Sequence, residues 1–312
     1  MNIKHPLNSI ILLIALGLLL ISVNSVADIK VFACEPEWQA LANELGGEKI
    51  TSFSATTGLQ DPHQVQARPS LISKMRDADL LICSGADLEV GWLPLLLRRA
   101  SNPKLQESKP GYFLAADYVR LLGVPKSLDR SQGDMHAAGN PHVQTNPKNI
   151  SRIAKALVKR IKLIDPKNKK YYQEKTDAFL SRWKKSVQKW KKQVRKINGE
   201  SIVVQHASWD YLFDFAKLNQ VATIEEKPGI PATSGHLTSL VAHLKSQPTK
   251  IIIRAAYQNG RSSDWLAKRT GLSVVALPFT VGGDEQSTDL FTLYDRTFEL
   301  LVNAISEIRE EQ

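Results

Sequence analysis

The segment DPKNKKYYQEKTDAFLSRWKKSVQKWKKQVRKI, residues 165–197, decides how the rest of the chain is arranged. Tyr172, Phe179, Trp183, Val187, Trp190 and Val194 recur at three-, four- and seven-residue intervals, which lines them up as one apolar stripe along a helix. Asp165-Pro166 opens the segment as an N-cap with proline at the first helical position. A helix of about 30 residues is about 45 Å long, enough to bridge two lobes rather than pack on one. The lysines that fill its other positions read as a solvated face.

On either side of this strut the chain alternates apolar β-branched runs with amphipathic stretches. Upstream it reads IKVFAC, PEWQALANELGG, KITSFSA, PSLISKMRDA and DLLICSG, and Gly46-Gly47 closes the first helix as a C-cap pair should. Downstream the strand-like runs are SIVVQHA, QVATIEE, KIIIRAA and LSVVALP. Helices are expected between them, around WDYLFDFAKL, from Thr238 to Ser246 and from Ser263 to Thr270, with a last one from Asp289 to about Glu310. Such alternation predicts parallel sheets flanked by helices. The expected fold is therefore two α/β lobes joined by one long rigid helix, with any ligand in the cleft between them. The divisions are a leader over 1–27, an N-terminal lobe over 28–164, the linking helix over 165–198 and a C-terminal lobe over 199–312.

The leader is read from a lightly basic start at Lys4 and His5, an apolar run from Ile10 to Ile21, and Ser25-Val26-Ala27 as a small-x-small cleavage pattern. An apolar core of about a dozen residues is too short for a membrane-spanning helix. Export to the periplasm without a membrane anchor is the expectation, because the first cysteine, Cys34, lies several residues past the cleavage point. The net charge is +10 over the whole chain, from 41 basic and 31 acidic residues, and +9 without Lys4. Much of the excess sits in the strut, and no recognition motif accompanies it, so nucleic acid is not an expected partner. Cys34 and Cys83 each end a strand-like run. In an oxidising compartment they either bridge or remain two buried thiols, and two thiols alone do not make a structural zinc site.

Three histidines share one setting. His63 follows the run KITSFSA, His206 ends SIVVQ, and His142 stands in the loop GDMHAAGNPHVQTNP. Ligands of open parallel sheets bind outside the carboxyl ends of the strands, so two facing lobes would gather these loops into one cleft. Neutral imidazole is the commonest metal ligand among side chains, and three of them with one carboxylate suit tetrahedral zinc. His236 and His243 fall at the start and inside of a helix and read as structural.

DPHQVQARPS, GNPHVQTNP, HASWDYL and the lysine-rich central helix, in that order, resemble the zinc and manganese solute-binding proteins of ABC importers, over essentially the whole chain after the leader. The resemblance implies two lobes on a rigid backbone helix, one metal between them, and delivery to an inner-membrane permease by a monomer. It assigns His63, His142 and His206 to the first three ligand positions. An imidazole stands at the third, where manganese members carry a carboxylate, which favours Zn2+ over the oxygen-preferring Mn2+. The family's fourth ligand is the aspartate of an Asp-Pro, but this chain has Leu277 before Pro278 in VVALPFTVGGDEQSTD. Asp284 on the glycine loop beyond is the expected fourth ligand, with Glu285 or water as alternatives. The long histidine- and acid-rich tract of zinc members is reduced here to SQGDMHAAGNP, with His136 as its remnant: an exposed loop residue is the expectation, with an auxiliary weak ligand as the alternative. Glu89 matches a glutamate that anchors a loop ahead of a tryptophan, here Trp92. Asp61 or Glu226 are candidates to orient a metal-bound imidazole. A zinc hydrolase finds no HExxH or G-x-S-x-G motif, and a cleft for an organic metal complex such as a siderophore would be lined by aromatics and arginines instead of histidines.

Overall fold

The computed structural model describes residues 29–125 and 136–310; the expected leader lies outside them. The N-terminal half runs β1 (Ile29–Ala33), α1 (Pro36–Gly46), β2 (Ile50–Ser54), α2 (Pro69–Arg76), β3 (Leu80–Cys83), α3 (Leu93–Ala100), β4 (Tyr112–Leu114) and α4 (Pro147–Ile164). After α5 (Lys169–Val194) come β5 (Ser201–Val204), α6 (Asp210–Ala216), β6 (Asn219–Thr223), α7 (Ser234–Leu244), β7 (Ile251–Ala255), α8 (Arg261–Thr270), β8 (Ser273–Leu277) and α9 (Leu290–Glu310). Each half builds a four-stranded sheet, ordered β2-β1-β3-β4 and β6-β5-β7-β8, with every pairing parallel. The central strands β3 and β7 are apolar along almost their whole length because helices cover both faces.

The strut is real and packs on both lobes. Pro166–Asn168 and Arg195–Ile197 add a 3₁₀ turn at each end of the 26 residues of α5, which puts the α-helical part at about 39 Å. Five of the six stripe residues are buried, and Val187 is partly so. On the N-terminal side the Trp183 indole donates to the Pro147 carbonyl at the start of α4 (2.8 Å), and Arg182 pairs with Glu44 of α1. On the other side Trp190 donates to Asp295 of α9 (2.6 Å) and packs against Tyr294 and Phe298. One continuous buried cluster therefore runs from β1 through α5 to α9. Three elements escaped the sequence reading: the eight-residue α3, the three-residue β4, too short to show alternation, and the 18-residue α4 that runs directly into the strut. The helix expected from Thr238 starts earlier, at Ser234, because the Thr233 hydroxyl caps it by accepting the His236 N–H (3.2 Å).

Cys34 and Cys83 form a disulfide, with Cα atoms 4.8 Å apart. The register explains it. Ala33 of β1 pairs with Ile82 of β3, so the next residue of each strand falls side by side.

Candidate metal centre

The loops that carry His63, His142 and His206 bring these three histidines together. The ligating nitrogens of His63, His142 and His206 all lie within 4.8 Å of one another. Ring centroids are 5.3 Å apart for His63 and His142, 5.8 Å for His63 and His206, and 6.2 Å for His142 and His206. Each reaches this point from a different element: the loop after β2, the stretch before α4 and the end of β5.

The loops are held from behind. Gly58, on the way to His63, lies backbone to backbone against the turn after β8, where a Cβ would come within 2.1 Å of the Gly282 carbonyl carbon; only glycine fits. The Trp92 indole donates to the Pro62 carbonyl beside His63 (3.0 Å). The amide of Asn140, on the His142 loop, donates to the Ala207 carbonyl and to Asp210, both 3.1 Å away, while its Oδ1 accepts the His142 N–H (3.0 Å). Asn140 thereby ties the His142 loop to the loop that carries His206.

Two of the three rings are oriented by carboxylates. His63 Nδ1 bonds Asp61 (2.8 Å) and His206 Nδ1 bonds Glu225 (2.7 Å), which leaves Nε2 of each directed at the centre. Burial would raise the Asp61 carboxyl, but the hydrogen bond and charge of His63 outweigh it and hold the group below its ordinary range. Asp61 thus fills the role expected of it, whereas Glu226 does not. The backbone of Glu225 continues the ladder beside β5, its N–H donating to Gln205 (2.9 Å), so Glu225 and not its neighbour faces His206. Glu226 lines the cleft on the other side. A register shift at Ile202/Val203 breaks the parity that could have separated the two acids in sequence. Asp61→Ala or Glu225→Ala is expected to weaken metal binding by about 10- to 100-fold in a chelator competition titration; unchanged affinity would remove the orienting role.

His142 is 1 % exposed, and both of its ring nitrogens lack a partner. Burial, reinforced by His63, His206 and His136, pushes its pKa well below 6.5, so the ring is a neutral donor. Clefts of about 380 Å³ flank the centre on two sides, one lined by Asp210 and Glu226, the other by Asp61 and Glu225. Both mouths present acidic side chains to an incoming cation.

Asp284, the expected fourth ligand, is not brought to the three imidazoles. Its carboxylate accepts the N–H groups of Gln286 (3.1 Å) and Ser287 (2.8 Å) and pairs with Arg296 (3.2 Å). These bonds hold it below its ordinary range against the opposing effect of burial. A carboxylate so satisfied closes its own turn, and Glu285 is exposed beside it. His136 departs from expectation in the other direction: instead of facing water it is half-buried, and its ring stacks on His63 at 5.4 Å.

Behind the centre lie three buried carboxyls, Glu35, Glu37 and Glu89. Glu89 accepts the N–H groups of Ser84 (2.7 Å) and Gly85 (3.0 Å), anchoring the turn before Trp92 as the resemblance implies. Glu37 exchanges hydrogen bonds with Thr280 across the two lobes. Burial pushes Glu37 and Glu89 up to about 7, and burial together with the repulsion of Glu89 and Glu37 raises Glu35 as well. A carboxyl whose pKa is higher folded than unfolded binds more protons in the folded state, so its contribution is full below about 4.5 and is lost as the pH rises towards 7. Glu37→Gln should therefore gain roughly 2–3 kcal/mol relative to the unsubstituted protein between pH 5 and pH 8 in denaturant titrations. A difference that does not change with pH would show that Glu37 does not titrate across this range.

Two parallel-sheet lobes on a helical strut, with a buried imidazole cluster between them, define a solute-binding protein of an ABC metal importer. Residues 31–306 match the family described as the periplasmic component A of the zinc-uptake complex, ZnuA, and the chain belongs to that family. It is the substrate-binding component of a metal import system, a transport protein and not an enzyme, and the family works with ABC permease and ATPase components. Among relatives, the metal ABC transporter substrate-binding lipoprotein SloC of Streptococcus mutans is 25% identical over 89% of this chain and 90% of its own length. The manganese ABC transporter substrate-binding lipoprotein PsaA of Streptococcus pneumoniae is 24% identical over 84% and 83%. The crystal structure of ZnuA superimposes with a TM-score of 0.75 at 20% identity, covering 89% of this chain and 99% of that one. No helix among the described residues is long and apolar enough to cross a membrane.

Proposed function

We propose that this protein captures Zn2+ in the periplasm, after removal of residues 1–27 as a leader, and surrenders it as a monomer to an inner-membrane permease. His63, His142 and His206 are the protein donors. The observation that carries this reading is the donor set: three imidazoles, two buried and His63 partly so, with Nδ1 of His63 and of His206 committed to a carboxylate and Nε2 left over. Nitrogen donors suit zinc better than the hard Mn2+ ion, which prefers oxygen, and zinc is the metal in the family's description. Freedom from a lipid anchor is supported by the cysteines. The chain has two, and they are bonded to each other.

The test is calorimetry on the full chain with Zn2+, Mn2+ and Fe2+. One zinc per chain is expected, bound at least a hundredfold more tightly than manganese, as an all-nitrogen trio should discriminate. Equal affinity for Zn2+ and Mn2+ would sink the assignment of the metal, and retention of full zinc affinity by His63→Ala would sink the centre itself.

A further inference from the structure

We infer that His136 is the fourth ligand of this centre and closes it as a tetrahedron of four imidazoles; the inference rests on the reading of His63, His142 and His206 as donors. The Nε2 atom of His136 is buried and has no hydrogen-bond partner. Its ring lies 5.4 Å from that of His63 and 6.3 Å from that of His142, within about the same range as the separations inside the trio. The Nε2 atom lies outside the group whose ligating atoms all fall within 4.8 Å. The nitrogens of a tetrahedral zinc lie about 3.4 Å apart, so the trio must itself contract around the ion. Closure of His136 belongs to the same contraction.

The Asp87 backbone acts on the His136 ring as an acceptor. A ring that donates one N–H to a carbonyl presents a lone pair on the other nitrogen. The backbone at Asp87 has an unusual shape: Ala86 and Asp87 follow Gly85 in the left-handed region, with φ of 49° and 67°. Glu89 stabilises that turn by accepting the Ser84 and Gly85 N–H groups. Non-glycine residues held in this region mark places where the surroundings over-determine the backbone.

Most acids around the cleft are engaged elsewhere, while Glu226 stands exposed on the same cleft as His136. Asp61 and Glu225 are engaged by His63 and His206, and Asp284 by Arg296 and its own turn. An N₄ shell without oxygen would widen the preference for zinc over manganese beyond what three imidazoles give.

X-ray absorption at the zinc edge on the full chain loaded with one equivalent of Zn2+ tests this by counting imidazoles. Four are expected. His136→Ala and His136→Gln should each show three imidazoles and one oxygen, with zinc affinity lower by about 10- to 100-fold and a smaller zinc-to-manganese ratio. Asp284→Asn should change neither the spectrum nor the affinity. Three imidazoles and an oxygen in the unsubstituted protein, unaltered by either His136 variant, would overturn the inference, as would loss of an oxygen ligand in Asp284→Asn. If His63→Ala abolishes binding while His136→Ala does not alter the spectrum, only the fourth ligand is wrong. Unaltered coordination in His63→Ala would remove the whole centre.

Discussion

His142→Ala should abolish the zinc-induced rise in thermal stability without lowering the stability of the metal-free protein. Both halves of this result follow from the same burial. The ring is 1 % exposed and neither nitrogen has a partner. In the metal-free state it is a desolvated polar group that contributes cost rather than support, so its removal leaves the metal-free fold as stable as before or more so. In the loaded state of the proposed centre it supplies one of the imidazole nitrogens. Loss of a carboxylate that merely orients a ligand weakens binding by about 10- to 100-fold, and loss of the ligand itself should exceed that. At a zinc concentration about a hundred times Kd the ion stabilises the fold by about 2.7 kcal/mol, and a hundredfold weaker site leaves about 0.4 kcal/mol. Differential scanning calorimetry with and without zinc reads this directly. A full zinc shift in the variant would mean that His142 is a core residue and not a ligand.

The second large effect is expected on stability. The bond between Cys34 and Cys83 spans 49 positions, and closing a loop of that size removes about 4 kcal/mol of chain entropy from the unfolded state. Its two ends leave neighbouring strands of the N-terminal sheet, next to the turn that Glu89 anchors. Replacing both cysteines with serine should lower the midpoint of thermal unfolding by roughly 10 °C. Zinc affinity at 25 °C should stay within about threefold, because the histidine loops are held by Trp92, Asn140 and Gly58 rather than by the disulfide. A stability change below about 1 kcal/mol would mean that the sheet alone fixes these strand ends.

The fold leaves the choice of metal open. The manganese lipoprotein PsaA and the zinc-uptake family both match this chain over most of its length. On the proposed assignment, His206 presents a nitrogen at the third ligand position.

The sequence alone determined the strut, the two alternating lobes and the three histidines that meet between them, because each depends on local order. The stripe of Tyr172, Phe179, Trp183, Trp190 and Val194 is a matter of helical period, and the strand runs are continuous because both faces of each sheet are covered. Tertiary structure alone decided the rest. Whether Cys34 met Cys83 depended on the register of β1 against β3, and the choice of Glu225 over Glu226 on an irregularity where β6 pairs with β5. Asp284 was claimed by Arg296, and His136 came to stack on His63. These outcomes rest on pairs that come together only when separate loops pack. Nothing in the spacing of residues along the chain encodes which of two neighbouring side chains a distant partner will reach.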